Sequence, residues 1–329
     1  MLQHSTFYIS LKNRIKYLIS GEKKRWSFDD YLFYHMQDMD RAERASIMSL
    51  QELEEAEKLL NKDSHREIFN SKRRFYETFH PVMGDYIKRD IFFLRDYSYE
   101  EYRQFLSAHK KCILKPDNMY AGLGIDIVDC RFENADYLDN SSHESDDKNS
   151  EAYILWKEYF DKNYLAEELL ESSAVYSSIY PESLNTMRIT TLLDDEGVPH
   201  VIGAANQFGS RGSIVDNDDN SSIWANINVD TGIVDDVDTD ERTGLINELH
   251  PDTRKPILGF KNPHFDEVKE LACQAALIVP ECRLIGWDIA RLSDGRLEII
   301  EGNVTPELNL FQSMTGKGLK NVLMNQSIK

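Results

Sequence analysis

Gly286-Trp287-Asp288-Ile289-Ala290-Arg291-Leu292-Ser293-Asp294-Gly295-Arg296-Leu297-Glu298-Ile299-Ile300-Glu301-Gly302-Asn303 places two alternating apolar runs on either side of Asp294-Gly295. Asp-Gly between such runs is the strongest short-range signal for a two-residue hairpin. With Asp294 and Gly295 in the turn, Ser293 pairs with Arg296, and counting outward sets Asp288 directly opposite Glu301. Asn303, two residues on, shares the face of Glu301. Opposed carboxylates on Cβ atoms about 5 Å apart repel unless positive charge lies between them. A small oxygen-only donor set on a rigid hairpin suits Mg²⁺, which keeps several waters and takes its other ligands from substrate phosphates. The hairpin therefore reads as a metal-nucleotide site; the competing reading is a solvent-facing edge with unrelated charges.

The chain has 329 residues, room for two or three lobes at about 150 residues each. Its 57 acidic against 38 basic residues, a net charge of −19, argue against a nonspecific grip on nucleic acid. Cys112, Cys130, Cys273 and Cys282 form neither a CxxC pair nor a zinc spacing with the nine histidines. They read as core or incidental thiols in a reducing, cytoplasmic location. Lys12, Arg14 and Lys16 interrupt the apolar run that starts at Phe7, so there is no signal-peptide core, and no run approaches a membrane span. The same stretch, through Lys23-Lys24-Arg25, alternates apolar and basic residues, a pattern compatible with a membrane surface. Packing against the body of the protein is the preferred reading, since amphipathic helices mostly face a core.

Working back from the hairpin, Asn262-Pro263 reads as the cap and first position of a helix with the stripe Phe265, Val268, Leu271, Ala272, Ala275 and Val279. Strands are expected at 112–115, 125–128, 164–170, 187–193, 198–206 and 223–229. Ser98 with Glu101 caps a helix presenting Tyr99, Tyr102, Phe105 and Leu106. Residues 140–150 are polar and acidic enough for a surface insertion. The first 80 or so residues are helical in pattern, with Ser49/Glu52 as a capping box and Met48, Leu53, Ala56 and Leu60 at helical spacing. Helices first, then strands with helices between hairpins, give an α+β chain with antiparallel sheets.

Lys115-Pro116-Asp117-Asn118-Met119-Tyr120-Ala121-Gly122-Leu123-Gly124-Ile125 puts a lysine at a strand end before a small-residue turn. Gly122 and Gly124 let backbone N–H groups approach phosphate oxygens, and Lys115 supplies a point charge. The spacing matches neither a P-loop nor a dinucleotide fingerprint.

Together these elements resemble the ATP-grasp superfamily, from about residue 70 to residue 303. Asn70-Ser71-Lys72 with Phe75, Tyr76 and Phe79 is similar to its early lysine segment, and 114–125 to its second lysine and phosphate loop. Leu165-Ala166-Glu167-Glu168-Leu169-Leu170 is similar to its interlobe hinge, and Asp288, Glu301 and Asn303 fall at its metal-ligand spacing. Residues 181–189 and 213–217 resemble the branch associated with sugar transfer and polysaccharide biosynthesis. The resemblance implies a helical N-terminal region (1–67), a central lobe with the phosphate loop (68–168) and a C-terminal lobe with the metal site (169–329), the two lobes clamping ATP. It implies that Lys72 and Lys115 bind phosphates, that Glu167, Glu168 and the backbone near Leu169 face adenine, and that Glu171 meets the ribose. Asp288, Glu301 and Asn303 then hold Mg²⁺, and Arg188 or Arg211 neutralises the transferred phosphoryl group or clamps a substrate carboxylate. Read from the residues alone, Lys72 also suits a charged helix face beside Arg73 and Arg74, and either arginine a structural ion pair. The sequence departs from the family pattern at Ala121-Gly122, where a fuller glycine run is common, and at Asp218-Asp219-Asn220-Ser221-Ser222, where the branch often has glycines.

The implied activity is an ATP- and Mg²⁺-dependent carboxylate–amine ligase working through an acyl phosphate on small, sugar-linked substrates, in capsule or O-antigen assembly. A kinase for a small molecule or carbohydrate is the alternative, and a nucleotide-dependent binding protein without turnover a third reading. Two opposed anions around a metal are a costly feature for a mere binding module to keep.

Overall fold

The structure is a computed structural model describing residues 2–119, 124–128, 151–213, 222–237, 239–240, 245–246 and 248–325. Gly122, Cys130, the insertion at 140–150 and residues 214–221 lie outside the described residues. Four strands, β1 (Ile91–Phe93), β2 (Cys112–Pro116), β3 (Asp126–Val128) and β4 (Tyr164–Glu168), form an antiparallel sheet ordered β1-β4-β2-β3. Next come β5 (Thr186–Leu193), β6 (Pro199–Phe208), β7 (Ile223–Ile227) and β8 (Val234–Val237), the short pair β9 (Thr239–Asp240) and β10 (Leu245–Ile246), then β11 (Leu284–Arg291) and β12 (Leu297–Asn303). Six of these make a second antiparallel sheet, ordered β12-β11-β5-β6-β7-β8. The chain is α+β, as its patterning predicts.

The large sheet is covered on both sides, which is why every residue of β5 and β11 is buried. On one face Met187, Ile189, Ile285, Trp287 and Ile289 pack with Val268, Leu271 and Ala275 of the helix Phe265–Ala276. Phe75 and Phe79 of the helix Lys72–Met83, ring centroids 4.5 Å apart, join this core, with Trp287 edge-on to Phe79 at 5.5 Å. The smaller sheet has its own core, where Phe92, Leu114 and Ala166 meet Tyr99, Tyr102 and Leu106 of the helix Tyr99–Ala108 and Trp156 of the helix Glu151–Asp161. Met48, Leu53, Ala56 and Leu60 pack with Leu192, Leu284 and Leu308, and the boxes Ser49/Glu52 and Ser98/Glu101 both form.

Three expectations are corrected. The helix after Asn262-Pro263 starts at Phe265, with His264 in the left-handed region before it. Asn262 cannot cap, because it is buried with its amide donating to the Gly232 carbonyl (3.1 Å) and its Oδ1 accepting from the Tyr176 hydroxyl (2.9 Å). The β11–β12 turn holds three residues, Ser293, Asp294 and Gly295, because Leu292 pairs with Arg296 through a 2.9 Å bond and Gly295 takes φ 88°. A bulge on β12 at Ile300 adds back the residue that the turn removes, so Asp288 still faces Glu301. Finally, the N-terminal helix Leu2–Ser20 contacts the body through Arg14 over the Phe28 ring, Lys16 and Tyr17, while Leu11, Ile15, Leu18 and Ile19 face water.

Candidate functional site

β2 and β4 pair so that Glu167 faces Ile113, with Lys115 two residues along on the same side. This diagonal brings Lys115 Nζ to 2.5 Å from Glu167 Oε2. Arg89, two residues before β1, reaches the same carboxylate at 3.3 Å and spans to β12 of the large sheet. There its guanidinium meets Glu298 Oε1 at 3.1 Å and donates to the carbonyls of Ile299 and Ile300 at 2.8 and 2.9 Å. Glu298 also accepts the backbone N–H groups of Lys88 and Arg89. All four side chains are buried. Burial alone would raise Glu167, but Arg89 and Lys115 hold it below its ordinary carboxylate value. Burial pushes Lys115 downward against the pull of Glu167, with Arg89 and Lys72 adding repulsion. A lysine short of compensating negative charge at a strand end is suited to meet an anion.

The loop after β2 is anchored by Asp117. Its carboxylate accepts from the Ser71 hydroxyl at 2.9 and 3.0 Å, from the Arg73 N–H at 2.8 Å and from the Asn163 amide at 3.3 Å. This fixes the N-terminus of the helix Lys72–Met83 at the loop, where Lys72 Nζ donates to the Met119 carbonyl at 2.6 Å. At the far end of the loop, Gly124 sits at φ 72°, and a Cβ there would lie 2.8 Å from the Tyr164 hydroxyl. Only glycine meets both conditions.

At the other end of the site, Asp288 faces Glu301 across β11–β12 and Arg188 across β11–β5. Arg188 grips Asp288 through Nε–Oδ1 (2.5 Å) and Nη2–Oδ2 (3.0 Å), and its third nitrogen reaches Glu307 at 2.9 Å. Gly286 makes room for it, since a Cβ there would meet Arg188 Cδ at 2.7 Å. The Asn303 amide stands between the two carboxylates, 3.2 Å from Asp288 Oδ2 and 3.5 Å from Glu301 Oε1. Burial raises Asp288 above its ordinary value despite Arg188, with Glu301 and Glu307 reinforcing the rise. Among the described residues no group of three His, Cys, Asp or Glu side chains is poised to hold a metal. The set here is two carboxylates and an amide. It fits a hard cation that keeps waters: one atom, the Asn303 nitrogen, already lies within reach of both carboxylates, and turning the amide would offer its oxygen.

A single cleft of about 1010 Å³ joins the two ends. Lys72, Lys115, Glu167, Glu168, Leu169, Glu171, Asp288 and Glu301 all line it, as does Arg89. The Leu169 N–H donates to the Lys111 carbonyl, Glu168 accepts from the Asp90 N–H, and the Glu171 carbonyl ties the chain to Ser293 of the hairpin turn. Arg188 lies behind Asp288, and Arg211 is not among the lining residues; its backbone N–H donates to Asp252 at 2.6 Å. Sequence reasoning missed Arg89, Glu298, Asp117 and Glu307. The one available signal was Glu298, an ionisable residue inside Leu297-Glu298-Ile299-Ile300, where strand patterning asks for a core side chain.

A family model described as sugar-transfer associated ATP-grasp matches residues 57–328. No curated protein matches the sequence. Among solved structures, the chain is similar to the ATP-grasp ligase PsnB complexed with a minimal precursor (14% identity over 82% of this chain and 64% of that one, TM-score 0.47). It is also similar to D-alanyl-alanine synthetase A from Vibrio cholerae O1 (9%, 78% and 65%, TM-score 0.45). A third is N5-carboxyaminoimidazole synthase from Aspergillus clavatus with ADP and 5-aminoimidazole ribonucleotide (11%, 78% and 51%, TM-score 0.43). The chain spans less than two thirds of the length of each of these proteins.

Proposed function

The chain belongs to the sugar-transfer associated ATP-grasp family, and from that membership we propose that it is an ATP- and Mg²⁺-dependent carboxylate–amine ligase of surface-polysaccharide assembly. The observation that carries the reading is the composition of one cleft: two lysines, Lys72 and Lys115, at one end and two opposed carboxylates at the other. In this reading Lys72 and Lys115 meet the phosphates, Glu168 and the backbone around Leu169 face adenine, and Glu171 faces the ribose. Glu167 shares the adenine end, and with Arg89 it also holds Lys115 at its strand end. Asp288, Glu301 and Asn303 would hold Mg²⁺, which when bound neutralises charge on the phosphates. Arg188 is a positioning residue, since its guanidinium is engaged by Asp288 and Glu307. Arg211, whose backbone N–H donates to Asp252, is assigned no contact in this reading.

The chemistry asks little covalent work of the protein. A substrate carboxylate oxygen attacks the γ-phosphorus and ADP leaves; an amine then attacks the acyl carbon, loses a proton, and expels inorganic phosphate. The residues supply alignment and charge compensation in a confined cleft. Because one carboxylate oxygen leaves with the phosphate, ¹⁸O-labelled carboxylate should give ¹⁸O-labelled phosphate beside ADP. The assay follows a screen of uronic acids and amino acids for stimulated ADP release. A phosphorylated product without label transfer would establish the kinase alternative, and label in AMP with pyrophosphate would overturn both.

A further inference from the structure

The N-terminal helix turns its aliphatic face away from the protein. Leu11, Ile15, Leu18 and Ile19 recur at i, i+4, i+7 and i+8, one face of a helix, and are 47%, 52%, 60% and 79% exposed. The packing is done from the other side. Tyr17 meets Tyr31 edge-on at 5.3 Å and Phe28 at 5.5 Å, and its hydroxyl donates to the Trp26 carbonyl at 2.8 Å. Lys16 donates to the Gln37 carbonyl at 2.7 Å, and Asn13 and Ser20 lie on this same, less exposed side. A helix of a soluble body normally buries its aliphatic stripe. Single exposed leucines need no explanation, but a contiguous row does.

Charge selects what covers it. The chain carries a net charge of −19, yet residues 11–25 hold six basic residues (Lys12, Arg14, Lys16, Lys23, Lys24, Arg25) against Glu22 alone. Helical spacing puts Lys12 and Arg14 on the two flanks of the aliphatic row, both exposed, with exposed Lys23 and Lys24 in the turn that follows. A second copy docking through this face would oppose cation to cation. An anionic bilayer offers apolar depth for the row and negative headgroups for its flanks.

We propose that this helix seats the protein on an anionic lipid surface, lying in the interface with Leu11, Ile15, Leu18 and Ile19 toward the acyl chains. Among the described residues no helix is long and apolar enough to cross a membrane. This seating is tested by sedimenting the full chain with vesicles of phosphatidylcholine plus phosphatidylglycerol, and with phosphatidylcholine alone, at low and high salt. Binding should require the anionic lipid and weaken with salt. Lys12→Gln and Lys23→Gln should each lower the partition coefficient about fivefold. Leu18→Asp with Ile19→Asp should abolish binding without changing the melting temperature, because both side chains already face water. Absence of binding, or binding that is equal on neutral vesicles or survives the paired Asp variant, overturns the proposal. So does a dimer on gel filtration that the same paired variant dissociates while vesicles capture nothing; the face would then belong to a second copy.

Discussion

Replacing Glu167 by Gln keeps the shape of the side chain and removes the one charge that faces both Lys115 and Arg89. The two contacts, 2.5 and 3.3 Å, are buried, so solvent does little to soften the loss. Arg89 keeps Glu298 and two carbonyls but loses Glu167, its strongest compensating charge. Lys115 loses the carboxylate it pairs with, while Arg89 and Lys72 still press on it. Removing one member of a buried pair costs about 3–5 kcal/mol, mostly the penalty of stranding the other charge. With both cations losing a buried partner, a cost of about 3–5 kcal/mol is expected in urea titrations of the nucleotide-free protein. Lys115→Met added to Glu167→Gln should recover part of that, since the stranded charge is gone. Saturating MgATP should stabilise Glu167→Gln more than the parent, because phosphate oxygens restore the missing anion. A cost below about 1 kcal/mol, or equal stabilisation of both proteins by nucleotide, would refute the reasoning that Glu167 holds Lys115 for a phosphate.

Asp288→Asn and Glu301→Gln should both abolish turnover, yet differ in stability: the first strands Arg188 and should cost about 3 kcal/mol by urea titration, while the second relieves repulsion and should cost little. Lys115→Met should weaken nucleotide binding in calorimetry by tenfold or so, the worth of about one charge-assisted bond, and unchanged affinity would remove Lys115 from the site. Gly286→Ala should place a methyl 2.7 Å from Arg188 Cδ and 2.8 Å from Pro306, displacing the guanidinium and destabilising the fold by about 1–3 kcal/mol. Burial raises Glu57 from 4.5 to about 7, so the folded protein holds that proton more tightly than the unfolded chain. Its stabilising effect is complete below 4.5 and is lost as pH rises through about 7, a difference of at most about 3 kcal/mol. Glu57→Gln should therefore gain stability relative to the parent between pH 5 and pH 8, and parallel pH profiles would count against the assignment.

What could be read from the sequence was local or periodic. Ser49/Glu52 and Ser98/Glu101 are reciprocal bonds within four residues, and both formed. What escaped needs partners far along the chain. Arg89 and Glu298 are separated by 209 residues, Ser71 and Asp117 by 46, and nothing near any of them announces the other. Asn262 carries an apt capping residue and proline, yet Tyr176 and Gly232 claim its amide. The N-terminal helix shows the limit of patterning most directly: an amphipathic stripe says that a face will be covered, not that the body of the protein covers it.

The hairpin was legible for a sounder reason than its turn. A three-residue loop in place of two shifts every pair beyond it by one residue, and a one-residue slip alone would have set Asp288 against the wrong face. The bulge at Ile300 reverses the slip before Asp288 is reached. Two irregularities that cancel mean that the packing on both faces of β11, with Trp287 in the core and Asp288 in the cleft, governs the register, and the turn accommodates it. The repulsion inferred between the opposed carboxylates then has a partial answer within the fold. Arg188 on the third strand neutralises Asp288, but Glu301 and Glu307 leave anionic charge in excess, and that excess helps burial raise Asp288. A site with one guanidinium among three carboxylates is still short of positive charge, and in the proposed reading a divalent cation beside Glu301 would supply what Arg188 does not.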